Sequence, residues 1–107
     1  MNGHLAPVDD APSEGERTTV LAGGSGFTVE QILSGRLDAP QSYAQDHDEW
    51  VVVLAGGAVL EVDGVAHDLG AGDWWLLRAG TPHRLVHTEA GTSWLAVRST
   101  GARDAVR

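Results

Sequence analysis

Apolar positions come in short, β-branched or aromatic segments that glycine, proline and aspartate interrupt every eight to twelve residues. Residues 18–22, 58–62, 65–69, 83–88 and 92–98 read as strands on that pattern. Residues 27–33 fit two periods. Phe27, Val29 and Gln31 alternate as in a strand, whereas Val29, Ile32 and Leu33 fit a helical stripe, and the strand-rich neighbourhood favours the strand. Asp63-Gly64 between two such segments predicts a two-residue hairpin, because a type I′ turn needs positive φ at both positions. Residues 74–77, Trp-Trp-Leu-Leu, are apolar on both faces, as in a strand packed between layers. Of adjacent Trp74 and Trp75, one faces the interior and the other packs outward or against a second subunit. Residues 34–40 read as a loop, since Pro40 could not sit inside a central ladder. No long helical pattern competes with this reading, so the expected class is an all-β sandwich or barrel.

A chain of 107 residues supports one core. Residues 1–17, rich in Pro, Asp, Glu and Gly, predict a flexible N-terminal tail or an arm that orders on a partner. Residues 18–100 form the domain, and 101–107 a polar C-terminal tail. The first residues carry neither a basic start nor an apolar stretch, so no secretory signal is read and cytoplasmic residence is the expectation. No apolar run approaches the length a bilayer needs. The absence of cysteine excludes disulfides, thiolate nucleophiles and thiolate metal sites, and all seven basic residues are arginine, which excludes lysine Schiff bases. A formal net charge of -8 makes nucleic acid and anionic membrane poor partners.

Chemistry concentrates around residues 43–56, where titratable and polar side chains abut a solid apolar run that ends at Gly56. If this segment is extended, Tyr43, Gln45, His47 and Glu49 share one face. The glycine cluster 23–26 lacks the last glycine of a dinucleotide fingerprint and the Lys-Ser/Thr of a P-loop. No Gly-x-Ser-x-Gly elbow supports a serine hydrolase.

Two blocks resemble the paired motifs of the cupins, G-x5-H-x-H-x3,4-E-x6-G and G-x5-P-x-G-x2-H-x3-N. Glu49 and Gly56 match the end of the first, and Gly72, Gly80 and His83 match the second. Gln45, Asp48-Glu49-Trp50-Val51, Gly72-Asp73, His83-Arg84 and residues 94–97 look like a group of small bacterial single-domain cupins. The resemblance implies a jelly-roll barrel (a double-stranded β-helix) in which three histidines and a glutamate hold a divalent metal facing the interior. Only the glutamate and the last histidine carry over, as Glu49 and His83. With the shorter spacing Gln45 and Tyr43 stand where the other two histidines belong, and with the longer spacing Ala44 and Ser42 do. Arg78 replaces the second motif's proline and His87 its asparagine.

A divalent first-row ion wants at least three protein ligands. The expected set is His47, Glu49 and His83, with Gln45 as a neutral fourth, for Zn, Mn, Fe or Ni. Glu49 and His83 are also the candidate catalytic pair, and Tyr43, His87 and Trp75 the candidate pocket residues. His87 shares the parity of His83 at about 13 Å along a straight strand, as a pocket or rim residue. The leading expectation is a metal-binding protein, or a metal-dependent enzyme of unspecified reaction, acting on a small polar molecule. The alternative is a metal-free binding or sensing module in which a carboxylate near an imidazole handles protons. Cupins commonly pair, so the expected macromolecular partner is a second copy.

Overall fold

A computed structural model describes residues 1–37, 39–43 and 45–100. Nine strands follow in order: β1 (Glu16–Gly24), β2 (Phe27–Ser34), β3 (Gln41–Tyr43), β4 (Glu49–Ala55), β5 (Gly57–Val62), β6 (Val65–Gly70), β7 (Trp74–Leu77), β8 (His83–Thr88) and β9 (Thr92–Ser99). They form a five-stranded sheet ordered β1-β2-β9-β4-β7 and a four-stranded sheet ordered β3-β8-β5-β6, with every strand pair antiparallel. This is the expected all-β jelly roll. Residues 27–33 are a strand, paired to β1 on one side and β9 on the other, which settles the competing helical stripe.

Strand alternation builds the core. Val51 and Val53 of β4, Leu77 of β7, and Trp94 and Ala96 of β9 point inward from the first sheet. Ala58, Leu60 and Val62 of β5, Leu69 of β6 and Leu85 of β8 meet them from the second. Asp63 (φ 50) and Gly64 (φ 83) make the predicted hairpin turn with two positive φ values. Gly56 (φ 84) turns the chain from one sheet to the other directly over Thr92, whose Cα would lie 2.8 Å from an added Cβ.

Two expectations change. The strand at 74–77 is not enclosed between layers: Trp75 packs against the core and Leu77 is buried, but Trp74 is 60% exposed and Leu76 38%. β7 is the edge strand of its sheet, and the outward ring of Trp74 meets Trp50 of the adjacent β4 with centroids 6.1 Å apart. Ordered strand begins at Glu16, two residues inside the segment read as a tail, and Gly35 N–H donates to the Gly15 carbonyl. Further upstream, the buried amide of Gln31 grips the main chain of Ala6, accepting its N–H at 2.9 Å and donating to its carbonyl at 3.0 Å. The C-terminal tail lies outside the described residues. Among those described, no helix is long and apolar enough to cross a membrane.

Candidate functional site

Between the sheets, toward the start of β4 and β8, lies an open-mouthed cavity of about 130 Å³. Its floor and walls are apolar, from Ile32, Val51, Leu60, Leu77, Leu85 and Trp94, and its polar groups are Glu16, Tyr43, Gln45, Glu49 and His83. Four strands and one loop bring those polar groups together, so the site exists only in the folded chain.

His83 opens β8 with its imidazole buried, 8% exposed. Its Nδ1 lies 3.1 Å from the Thr81 carbonyl. A carbonyl can only accept, so Nδ1 carries the proton in the neutral ring, and Nε2 is left with a free lone pair. β3 pairs Tyr43 directly opposite His83, and the two rings stack with centroids 5.6 Å apart and planes 18° off parallel. Glu49 opens β4 and is half-buried, and the Gln45 amide donates to its Oε1 at 3.2 Å.

The turns that carry these side chains are stapled to each other. Asp48 accepts the Ala79 N–H through Oδ1 at 2.8 Å, with Arg78 3.8 Å from its other oxygen. The Gly80 N–H donates to the Gln45 carbonyl at 2.8 Å. Arg78, standing where the family motif has proline, thus helps hold the loop before His83 through a charge rather than a fixed φ.

Glu16, inside the segment expected as a tail, enters from β1. Its carboxylate reaches over the cavity mouth and accepts from the Ser34 hydroxyl at 3.3 Å. Ser34 in turn accepts the indole N–H of Trp94 at 3.1 Å, so a relay runs from the buried core to the exposed Glu16 at the cavity mouth. Partial burial pushes the Glu16 carboxyl above its ordinary pKa, the Ser34 hydrogen bond works against that, and the charge on Glu49 adds to it. Burial likewise raises the Tyr43 phenol, helped by the charges of Glu16 and then Glu49. Burial is the main cause of both shifts, and the neighbouring carboxylates add to it.

Three expected site residues lie elsewhere. His47 is not on the cavity wall. It sits in the bend before β4, with Nδ1 3.5 Å from Asp46 Oδ1, because strand alternation starts only at Glu49. His87 loses the parity of His83. A bulge steps the β5–β8 register from Leu60↔Leu85 to Val59↔His87, and cross-strand partners share a face, so His87 joins Val59 on the other side of the sheet. Trp75 points inward but packs at a 41° tilt on His67, with centroids 4.2 Å apart, away from the cavity lining.

These placements bear on the metal. Among the described residues no three His, Asp or Glu side chains cluster closely enough to hold an ion. Tyr43 and Gln45 occupy the two positions where the family motif has histidines, and Gln45 directs its amide N–H at Glu49 rather than a carbonyl at a shared centre. The donor set does not fit a divalent cation.

Comparisons with known proteins agree with this architecture. A family model described as "Cupin domain" matches residues 28–98. A solved structure of a candidate mannose-6-phosphate isomerase from Ralstonia eutropha JMP134 is 30% identical, with a TM-score of 0.79 over 94% of this chain and 100% of that one. KdgF from a Halomonas species is 19% identical, with a TM-score of 0.70 over 86% of this chain and 84% of its own. An RmlC-like cupin from Shewanella frigidimarina is 20% identical, with a TM-score of 0.68 over 98% and 97%. The last two show the fold alone. No curated protein matches the chain. With the fold, the surviving motif residues and the family match in agreement, the chain belongs to the cupin family.

Proposed function

We propose that this protein binds a small polar molecule in the cavity between its sheets, with Glu49 and His83 as anchors and without a metal ion. The observation carrying this reading is the convergence of an unengaged His83 Nε2 and the Glu49 carboxylate on one largely apolar cavity. A ligand hydroxyl or amine bound there would donate to either group. The imidazole, holding its proton on Nδ1, has the arrangement of a general base. An engineered cavity of about 150 Å³ takes one benzene, so the enclosed part here suits about half a dozen non-hydrogen atoms.

The Ralstonia relative's name suggests a sugar phosphate as ligand class. The two carboxylates at this mouth disfavour a phosphate dianion, and no arginine among the described residues lines the cavity. A metal-dependent reading keeps one supporting observation: an imidazole whose Nδ1 donates to a backbone carbonyl is oriented as metal-bound histidines usually are.

The test is a thermal-shift titration of untagged, chelator-stripped protein with Zn, Mn, Fe and Ni. No stabilisation is expected. Stabilisation that disappears in both Glu49→Ala and His83→Ala would overturn the metal-independent reading. A second copy of the chain is the expected partner, since Trp74, Leu76 and Leu54 leave the outer face of the five-stranded sheet apolar. Light scattering that returns a monomer mass would remove that expectation.

A further inference from the structure

Glu16 and Glu49 reach the same cavity from β1 and β4, far apart in the chain, and every other polar group there is an acceptor or an uncharged group. His83, 8% exposed, adds an Nε2 lone pair with no hydrogen-bond partner among the described residues. The cations nearby are committed elsewhere: Arg98 pairs with Glu30 at 3.0 Å, Arg84 with Glu61 at 3.1 Å, and Arg78 faces Asp48. The sequence has no lysine. Two carboxylates therefore share one mouth with no protein cation lining it among the described residues.

Such a mouth is incomplete without positive charge. A bound anion would be repelled by both carboxylates. A neutral ligand would leave their mutual repulsion in place, and an ammonium group would offset it while donating to Glu16, Glu49 and His83 Nε2 at once. The apolar walls below suit a short hydrocarbon, and Trp94 offers an aromatic surface. Resting on the reading of this cavity as the ligand site, we propose that its ligand is a small organic cation, a primary or secondary ammonium head on a short apolar body. The head sits between Glu16 and Glu49, and the body lies against Ile32, Leu77 and Trp94. Glu16 then becomes a specificity-determining residue that the family motif does not mark. Burial is the main cause of the raised Tyr43 pKa, and the charges of Glu16 and Glu49 add to it.

Three isosteric probes of matched length separate the charge from the shape: n-butylammonium, 1-butanol and butyrate. Each is titrated into the full-length, isotope-labelled protein at neutral pH with chelator present, and amide shifts are followed by NMR. The expected result is that butylammonium shifts Gln45, Glu49 and His83 with a Kd at least about tenfold below that of butanol, and that butyrate leaves them unmoved. Glu16→Gln and Glu49→Gln should each weaken butylammonium by about tenfold and weaken butanol by clearly less. If one variant fails to fold, the other carries the comparison. Butanol or butyrate binding the cavity as well as butylammonium would overturn the cation while leaving the ligand site in place. No shift at the cavity with any probe would overturn both.

Discussion

Ser34→Ala is the perturbation whose cost follows most directly from the geometry. The Ser34 Oγ is 1% exposed as a residue, accepts the Trp94 indole N–H at 3.1 Å and donates to Glu16 at 3.3 Å. Trp94 is 5% exposed, so removing its acceptor strands a buried donor, at about 1–3 kcal/mol. The Ser34–Glu16 bond is long and reaches an exposed residue, so it adds only about 0.5 kcal/mol. The void left is one oxygen atom, too small to add much. The sum is about 1.5–3.5 kcal/mol. In a domain of this size that lowers Tm by about 6–14 °C. With a urea m-value of about 1.5 kcal/mol/M, the midpoint falls by about 1–2 M.

Far-UV circular dichroism is the assay, since tryptophan fluorescence changes with the site itself. The double variant with Trp94→Phe removes donor and acceptor together, and a coupling of about 1 kcal/mol is expected relative to the two single losses. A Ser34→Ala loss under about 0.5 kcal/mol, or strict additivity, would refute the relay. Either result would mean that cavity water satisfies the indole as well as Ser34 does.

Two further outcomes follow from the site and the turns. The Glu16 carboxyl has a folded pKa above its ordinary value, so the folded state favours its protonated form. That contribution is complete below the unfolded pKa and is lost as pH rises through the folded one. The stability difference between Glu16→Gln and the wild type should therefore grow in favour of Gln from about pH 4 to pH 7 in urea titrations, and a flat or reversed trend would contradict the placement. Gly56→Ala and Gly64→Ala both force a side chain onto positive φ, but only Gly56 has backbone within reach, Thr92 Cα at 2.8 Å, while nothing lies within 4 Å of Gly64. The Gly64 variant should lose about 1 kcal/mol and the Gly56 variant at least about twice that by thermal denaturation, and equal losses would contradict the tight crossing.

Most strands were legible because glycine and the Asp63-Gly64 turn bracket them. Residues 74–77 and 83–88 have the bounds the pattern predicts. Glu49 and His83, the two residues the motifs mark, both line the cavity. What stayed hidden depended on pairing rather than pattern. β3 is three residues long and has no periodicity to detect, yet it delivers Tyr43 onto His83. One bulge in β8 turned His87 away, and no residue type marks that bulge in advance. His47 followed an alternation that had not yet begun. Glu16 belongs to no motif, and only the β1–β2 register, with Glu16 opposite Ser34, brings it to the site. Its one available signal was the alternation of Glu16, Thr18 and Val20 on one face, which extends the first strand upstream.

The most direct test of a cavity that works without metal is anomalous diffraction at the Zn, Mn, Fe and Ni edges. The crystals would be of untagged protein that has never met a chelator. No anomalous peak is expected between Glu49 and His83. A peak within about 2.0–2.3 Å of His83 Nε2 and a Glu49 oxygen would contradict it.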